Sequence, residues 1–448
     1  MTNVNIGWLI ALWLGGLINV SAQDQSRFSL DEAIDYALQH NRTAISAQKS
    51  IQAAYKQKWE TTSIGLPQIS AKASYNYWLK RQKMVIPANA FDPSAPPGET
   101  TQLTFVTPQT LNADITVSQK LFDGSYLVGL QSAKVFLEIS KHAKTKTDLQ
   151  IREQVINAYG NVLMSEASID ITKSNIKTLK SNLFETQEMF VNGFIEEENV
   201  EQLQLTLASL ESNLKHVERL GNLAYKMLNI VLGRDIQSTL VLSDKLEQLS
   251  AQSIDIDMAN KTLGLKNNID FLIAQNNLKS KALLLKLEES KSLPQLSAFF
   301  QSALSGNGND FDQTVNTANM VPSNLLGFNL NLPVFSSFGR TAAVQRKRIE
   351  LDQAELQVDD LEQQLQLQLT QAQSDYLLAI DQLQTSKERL SLAERIEGKN
   401  QIKFSEGLSS SFDLRQAQNQ LYSTQQDYIQ AMQNLISKKA TLETLINK

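Results

Sequence analysis

The 448-residue sequence predicts a mainly α-helical chain with a small amount of amphipathic β structure, laid down as two copies of one helix-strand-strand-helix-helix plan. Three observations predict it. The stretch FVNGFIEEENV at 190–200 is echoed by FSEGLSSSFDL at 404–414, and Phe190/Phe404, Gly193/Gly407, Asn199/Asp413 and Val200/Leu414 all lie 214 positions apart. Segments near 68–79, 111–121, 295–304 and 326–334 alternate apolar and polar residues, the period of a strand with one apolar face. Between about Ser125 and Asn192 there is no proline, and apolar residues recur at helical spacing, which gives roughly 100 Å of helix at 1.5 Å per residue.

Composition excludes several functions. A net charge of −5 gives no argument for nucleic acid, and the absence of Cys excludes disulfides, thiolate metal sites and Cys nucleophiles. His40, His142 and His216 are far apart, without a second His at ligand spacing. No GxSxG, HExxH or Walker A pattern occurs, and Gly306-Asn-Gly308 is a lone glycine pair in a loop. The chain reads as neither an enzyme nor a cofactor-binding protein. At the N-terminus, IGWLIALWLGGLINV followed by Ser21-Ala22 reads as a secretory signal with cleavage after Ala22, although no Lys or Arg precedes it. A membrane anchor is the alternative, but the run is shorter than the ~20 residues a span needs.

Each element has a local reason. Ser29-Leu-Asp-Glu32 is a capping box, so a helix starts there and runs to about Ser63, where Gly65-Leu66-Pro67 stops it. Ile69, Ala71, Ala73, Tyr75, Tyr77 and Leu79 form one face of a strand, opposed by Ser70, Lys72, Ser74 and Asn76. Residues 84–110 are Pro-rich and read as a long irregular loop; a second strand sets Leu111, Ala113, Ile115, Val117 and Leu121 against Asn112, Asp114, Thr116, Ser118 and Lys120. The long helix then runs to Gly193, a returning helix covers about 197–232, and 234–254 reads as irregular. The second copy repeats the order: a helix over about 255–292, Leu293-Pro294-Gln295, strands near 295–304 and 326–334, a long helix over 339–404, and a final helix to about Ile446. The organisation is thus a signal over 1–22, a first repeat over 23–254 with its β-hairpin at about 68–122, and a second repeat over 255–448 with its β-hairpin at about 295–335. Gly193 and Gly407 stand where a helix end needs a left-handed residue, and the helix dipole favours Asp413 at the start of the returning helix.

Two amphipathic strands per repeat give four per chain. Four strands cannot close a barrel in lipid, and the smallest membrane barrels have about eight. The chain is therefore an obligate oligomer if its strands enter a membrane; a soluble sandwich is the alternative. Along 339–404, Leu351, Ala354, Val358, Leu361 and Leu365 form a coiled-coil seam, while Leu356, Leu367, Leu377, Leu378 and Ile380 lie off it. A helix with two apolar flanks suits a wall rather than a single coiled coil.

The duplicated plan, the opening Phe28-Ser-Leu-Asp-Glu-Ala-Ile, the Leu-Pro-Gln before each β-hairpin and the Phe-x-x-Gly tips resemble the TolC family of outer-membrane efflux proteins. The resemblance covers nearly all of the mature chain. It implies a homotrimer with a twelve-stranded barrel in outer-membrane lipid and a helical tunnel across the periplasm. It also implies a periplasmic adaptor and an inner-membrane pump of RND or ABC type as partners. The expected function is a passive exit duct for efflux or type I secretion, with an exported coiled-coil scaffold or adhesin as the alternative. By resemblance Asp413 falls on a carboxylate ring that narrows the periplasmic aperture, Gln416 stands where a second carboxylate is expected, and Asn199 replaces a tethering aspartate. Phe404 replaces a tethering tyrosine and Ser409 an arginine, so closure is expected to rest on packing. Glu196, Glu197 and Glu198 form either a solvated helix start or an adaptor contact.

Overall fold

The computed structural model describes residues 27–259 and 264–447; the signal expected over 1–22 lies outside the described residues. The chain divides into two compact units, one holding the chain up to Asn41, Ile151–Ala259 and Asp375–Thr441, the other Arg42–Gln150, Asn260–Ser374 and Leu442–Lys448.

In chain order the elements begin with β1 (Arg27–Phe28), α1 (Leu30–His40) and α2 (Arg42–Ser63). The capping box forms as its residues dictate: the Ser29 N–H donates to Glu32 Oε2 at 2.8 Å, and Ser29 Oγ accepts from the Glu32 N–H at 3.4 Å. The single helix expected from Ser29 to Ser63 is in fact two, broken at Asn41 in an extended conformation. The reason is tertiary. The Asn41 side chain donates to Val231 O at 2.7 Å, and the backbone of His40 and Asn41 presses against Gly233, where a Cβ would come within 2.3 Å of His40 O.

Then come β2 (Gln68–Tyr77), β3 (Met84–Pro87), β4 (Thr100–Leu103), β5 (Gln109–Asp123), α3 (Gly124–Val191) and α4 (Glu197–Leu232). The loop expected to be irregular over 84–110 contains a small antiparallel pair, β3 with β4, as Val85 and Ile86 supply a short apolar run across from Gln102 and Thr101. The expected irregular stretch 234–254 contains β6 (Val241–Leu242) and α5 (Leu246–Gln252). β6 lies parallel to β1, with Arg27 opposite Val241 and Phe28 opposite Leu242, partners again 214 positions apart.

The rest is α6 (Ile256–Ala259), α7 (Ile269–Ser290), β7 (Gln295–Gly308), α8 (Phe311–Val315), β8 (Val321–Asn331), α9 (Gly339–Ser405) and α10 (Ser411–Leu445). The helix expected over 255–292 is interrupted: α7 starts afresh at Asn268, whose side chain accepts from the N–H groups of Asp270 and Phe271. The last strand starts five residues earlier than its alternation suggests, at Val321, and ends at Asn331 before Pro333, which has no N–H to give a ladder.

The sheet-bearing unit contains one four-stranded antiparallel sheet in the order β2-β5-β7-β8. Its registers align the two faces row by row. Ile69, Val117, Phe300 and Leu326 form one row, while the next puts Ser70, Thr116 and Gln301 beside Leu325. One face is thus apolar and the other largely polar. β2 and β8 are unpaired at their outer edges among the described residues.

The tip-bearing unit is a bundle of helix segments with two buried tyrosines. The Tyr159 hydroxyl lies 2.9 Å from Asp244 Oδ2 and 3.0 Å from Phe28 O, and Asp244 Oδ2 also accepts from the Leu30 N–H. The Tyr376 hydroxyl donates to Ser253 O at 2.6 Å and accepts from the Asp255 N–H at 2.7 Å. Each therefore pins a segment outside the long helices to one of them.

Candidate functional site

The expected site residues gather at the two helical tips. Both turns use one device. Gly193 has φ +78° and Gly407 φ +70°, a conformation that costs a residue with a Cβ about 1–2 kcal/mol. The Gly193 N–H donates to Phe190 O at 2.9 Å and the Phe194 N–H to Met189 O at 2.9 Å. At the second tip the Gly407 N–H reaches Phe404 O at 3.0 Å and the Leu408 N–H reaches Lys403 O at 2.7 Å. These paired bonds satisfy carbonyls that a helix end leaves without partners. Phe404 is buried, as are Leu414, ten positions further on, and Val200 at the start of the other returning helix. It serves packing here. Phe194 and Leu408, the residues after the glycines, are exposed.

The returning helices start differently. α10 has a capping box: Ser410 Oγ donates to Asp413 Oδ2 at 2.7 Å and accepts from the Asp413 N–H at 3.2 Å, while the Ser410 N–H reaches the same carboxylate oxygen at 3.2 Å. These bonds from the Ser410 side chain and backbone hold the exposed Asp413 carboxyl below its ordinary range. α4 starts at Glu196 with no side-chain cap. Glu196, Glu197 and Glu198 are exposed, and Glu198 accepts from Gln202 Nε2 at 2.7 Å. Gln416 is exposed one turn beyond Asp413.

The structure brings two of the expected regions together. Ser411 Oγ donates to Asn199 Oδ1, joining the start of α10 to α4, with Gln202 Oε1 at 3.4 Å from the same hydroxyl. Asn199 Nδ2 in turn donates to Glu196 O at 3.1 Å. A polar ladder continues away from the tips. Asn182 and Gln401 exchange amide bonds at 2.8 and 2.9 Å, Asn175 donates to Gln425 at 2.7 Å, and Ser168 donates to Gln426 at 3.3 Å. Sequence reasoning missed Ser410, Ser411 and this ladder, although Ser168, Asn175 and Asn182 stand at heptad spacing in α3 and could have signalled a polar seam. Between these rungs Glu397 is half-buried, and desolvation pushes its carboxyl above the ordinary range.

Residues 262–448 match the family model described as outer membrane efflux protein. No curated protein sequence matches the chain. Among solved structures, CusC, described as undergoing transmembrane channel formation, aligns over 93% of this chain and 91% of its own with a TM-score of 0.75 and 15% identity. The outer membrane protein VceC of Vibrio cholerae aligns over 93% and 96% with a TM-score of 0.71 and 14% identity. The CmeC outer membrane channel of Campylobacter jejuni aligns over 100% and 94% with a TM-score of 0.70 and 16% identity. At these identities the likeness is one of fold.

Proposed function

We propose that this chain is a member of the TolC family of outer-membrane efflux proteins, as the match of its second part to the outer membrane efflux protein model supports, and that it forms the outer-membrane exit duct of a tripartite efflux or type I secretion system. The observation that carries the reading is the sheet: four strands with one apolar face, one largely polar face and two free edges. An open edge in lipid leaves backbone N–H and C=O groups without partners, each at a cost of several kcal/mol. β2 and β8 run antiparallel to each other through the intervening strands, so β8 of one copy can extend the antiparallel ladder to β2 of the next. Three copies then supply twelve strands, apolar outside and polar inside.

The two repeats, divided near residue 254, each contribute one β-hairpin and one helical hairpin to this duct. Exposed apolar stripes support assembly of the helices. Leu220, Leu223, Met227 and Ile230 recur along α4, and Leu356, Leu367 and Leu378 recur along α9. Cargo passes through without chemistry, and an inner-membrane pump reached through a periplasmic adaptor supplies the energy. Asp413, Asn199 and Gln416 surround the aperture in this reading, and Glu196–Glu198, uncapped and exposed, meet the adaptor. Locked tips after Asp413→Ala with unchanged export would count against a gating role for that carboxylate.

The test is conduction. Protein extracted from outer membranes should add discrete steps of ion current to a planar bilayer, and Asn199→Ala with Ser411→Ala should lengthen the open steps. No current from either protein would contradict the duct.

A further inference from the structure

The polar face of the sheet carries one aromatic side chain among the described residues of β2, β5, β7 and β8. Phe299 lies in the row that runs from Gln68 through Ser118 to Gly327. Its neighbours on that face of β7 are Ser297 and Gln301. The ring does not stand upright. A Cβ built on Gly327 would fall 2.6 Å from its Cζ and 2.7 Å from its Cε1, so the ring tip lies over the bare backbone of β8. Aromatic rings cover glycines in this way across neighbouring strands, and any larger residue at 327 would displace the ring. Two residues along β8, Leu325 adds an exposed apolar side chain on the same face.

We propose that Phe299, held flat over Gly327, is the aromatic contact that passing cargo meets inside the barrel, with the glycine keeping the ring out of the bore. The inference rests on the duct reading. A polar wall offers apolar or aromatic cargo nothing to replace lost hydration, whereas a flat ring face offers stacking and, to cationic cargo, attraction to its π-electrons. The class of cargo it favours is therefore a cationic aromatic small molecule. Ser118, on the other side of Phe299 from Gly327, is left partly open.

The chain has no Cys, so Ser118→Cys introduces a single thiol. In detergent-extracted protein this thiol should react readily with a charged, water-soluble methanethiosulfonate. Ethidium should slow the reaction several-fold, and tetrabutylammonium, a cation without a ring, should not. Phe299→Ala should abolish the ethidium effect and Phe299→Tyr should keep it. Gly327→Ala should slow labelling by driving the ring toward Ser118, and Phe299→Ala in that background should restore it. A thiol that reacts at one rate in all these backgrounds, with or without ethidium, would make Phe299 a packing residue and overturn the proposal. A thiol that never reacts would show that this face is not a water-filled lumen, which instead removes the duct reading beneath it.

Discussion

At Gly193 and at Gly407 the chain turns through the same two hydrogen bonds, yet the helices that leave the turns start in different ways. α10 is capped by Ser410, and the carboxylate expected to line an aperture, three residues on, closes that capping box. α4 has no side-chain cap and begins with three exposed glutamates. The two tips share the turn and differ in the restart. At the second tip the acidic group is tied to its own helix end; at the first, the glutamates are exposed, none caps the helix, and Glu198 bonds Gln202 one turn on. A carboxylate at a matching position is therefore not a matching function, because Asp413 already has local work in the fold.

Four substitution sets break or sharpen this comparison. The largest effect is expected from the apolar residues beneath the tips. Leu414→Ala, at a fully buried position, should lower stability by about 2–5 kcal/mol. Val200→Ala, its counterpart, should cost about 1.5–3 kcal/mol. Denaturant unfolding of the assembled protein measures both, and equal small effects would show that packing does not hold the tips. Next come the turns. Gly193→Ala and Gly407→Ala should each cost about 1–2 kcal/mol because both positions need positive φ. A large difference between them would mean that the turns are not equivalent.

The restart is tested by Ser410→Ala, expected to cost about 1 kcal/mol, against Glu196→Ala, whose side chain caps nothing. Amide hydrogen exchange in the first turns of α10 and α4 reads each locally, and an equal response at the two tips would dissolve the contrast. The smallest effect is in pH. Asp413 is held below its ordinary range, so its cap is present above that range and is lost as pH falls through the lowered value. Glu397 is raised, so its contribution has the opposite sign: it favours the fold below the ordinary carboxylate range and is lost as pH rises through the raised value. Mild acidification should therefore tighten the helices around Glu397 before stronger acid frays the start of α10, and Glu397→Gln should remove the first phase alone.

Much of this architecture was legible because its signals are local. Helical spacing located α3 and α9, alternation located β2 and β5, and the two glycines located both tips. What stayed hidden depends on partners distant in sequence. Asn41 breaks α1 from α2 because Val231 and Gly233 are there to receive it. Asn268 shows a capping residue type, but the single helix expected over about 255–292 passed over it. The repeat also slips out of step locally. Leu66-Pro67 and Leu293-Pro294 are 227 positions apart, while Phe122 and Phe335 return to 213. In the two-repeat reading proposed above, the second half has extra residues before its β-hairpin and the first has β3 and β4 within its own. At the candidate site, sequence placed Asp413, Asn199 and the glycines but gave no reason to join Ser411 to Asn199, a bond between residues 212 positions apart. Phe299 was read past because it sits beside Phe300 in an apolar pair; alternation puts the two on opposite faces, and the register shows that Phe299 lies opposite Gly327.

The claim on which the rest depends is that the sheet of one chain closes only with others. The most direct measurement is engineered pairing across the two free edges. A single thiol at Ser70→Cys in β2 can be combined with thiols placed one at a time along β8, in a chain that otherwise has none. Oxidation of outer-membrane protein should then yield covalent trimers at one register and nothing larger. Monomers at every register, in protein that stays soluble without detergent, would contradict the shared barrel and the duct with it.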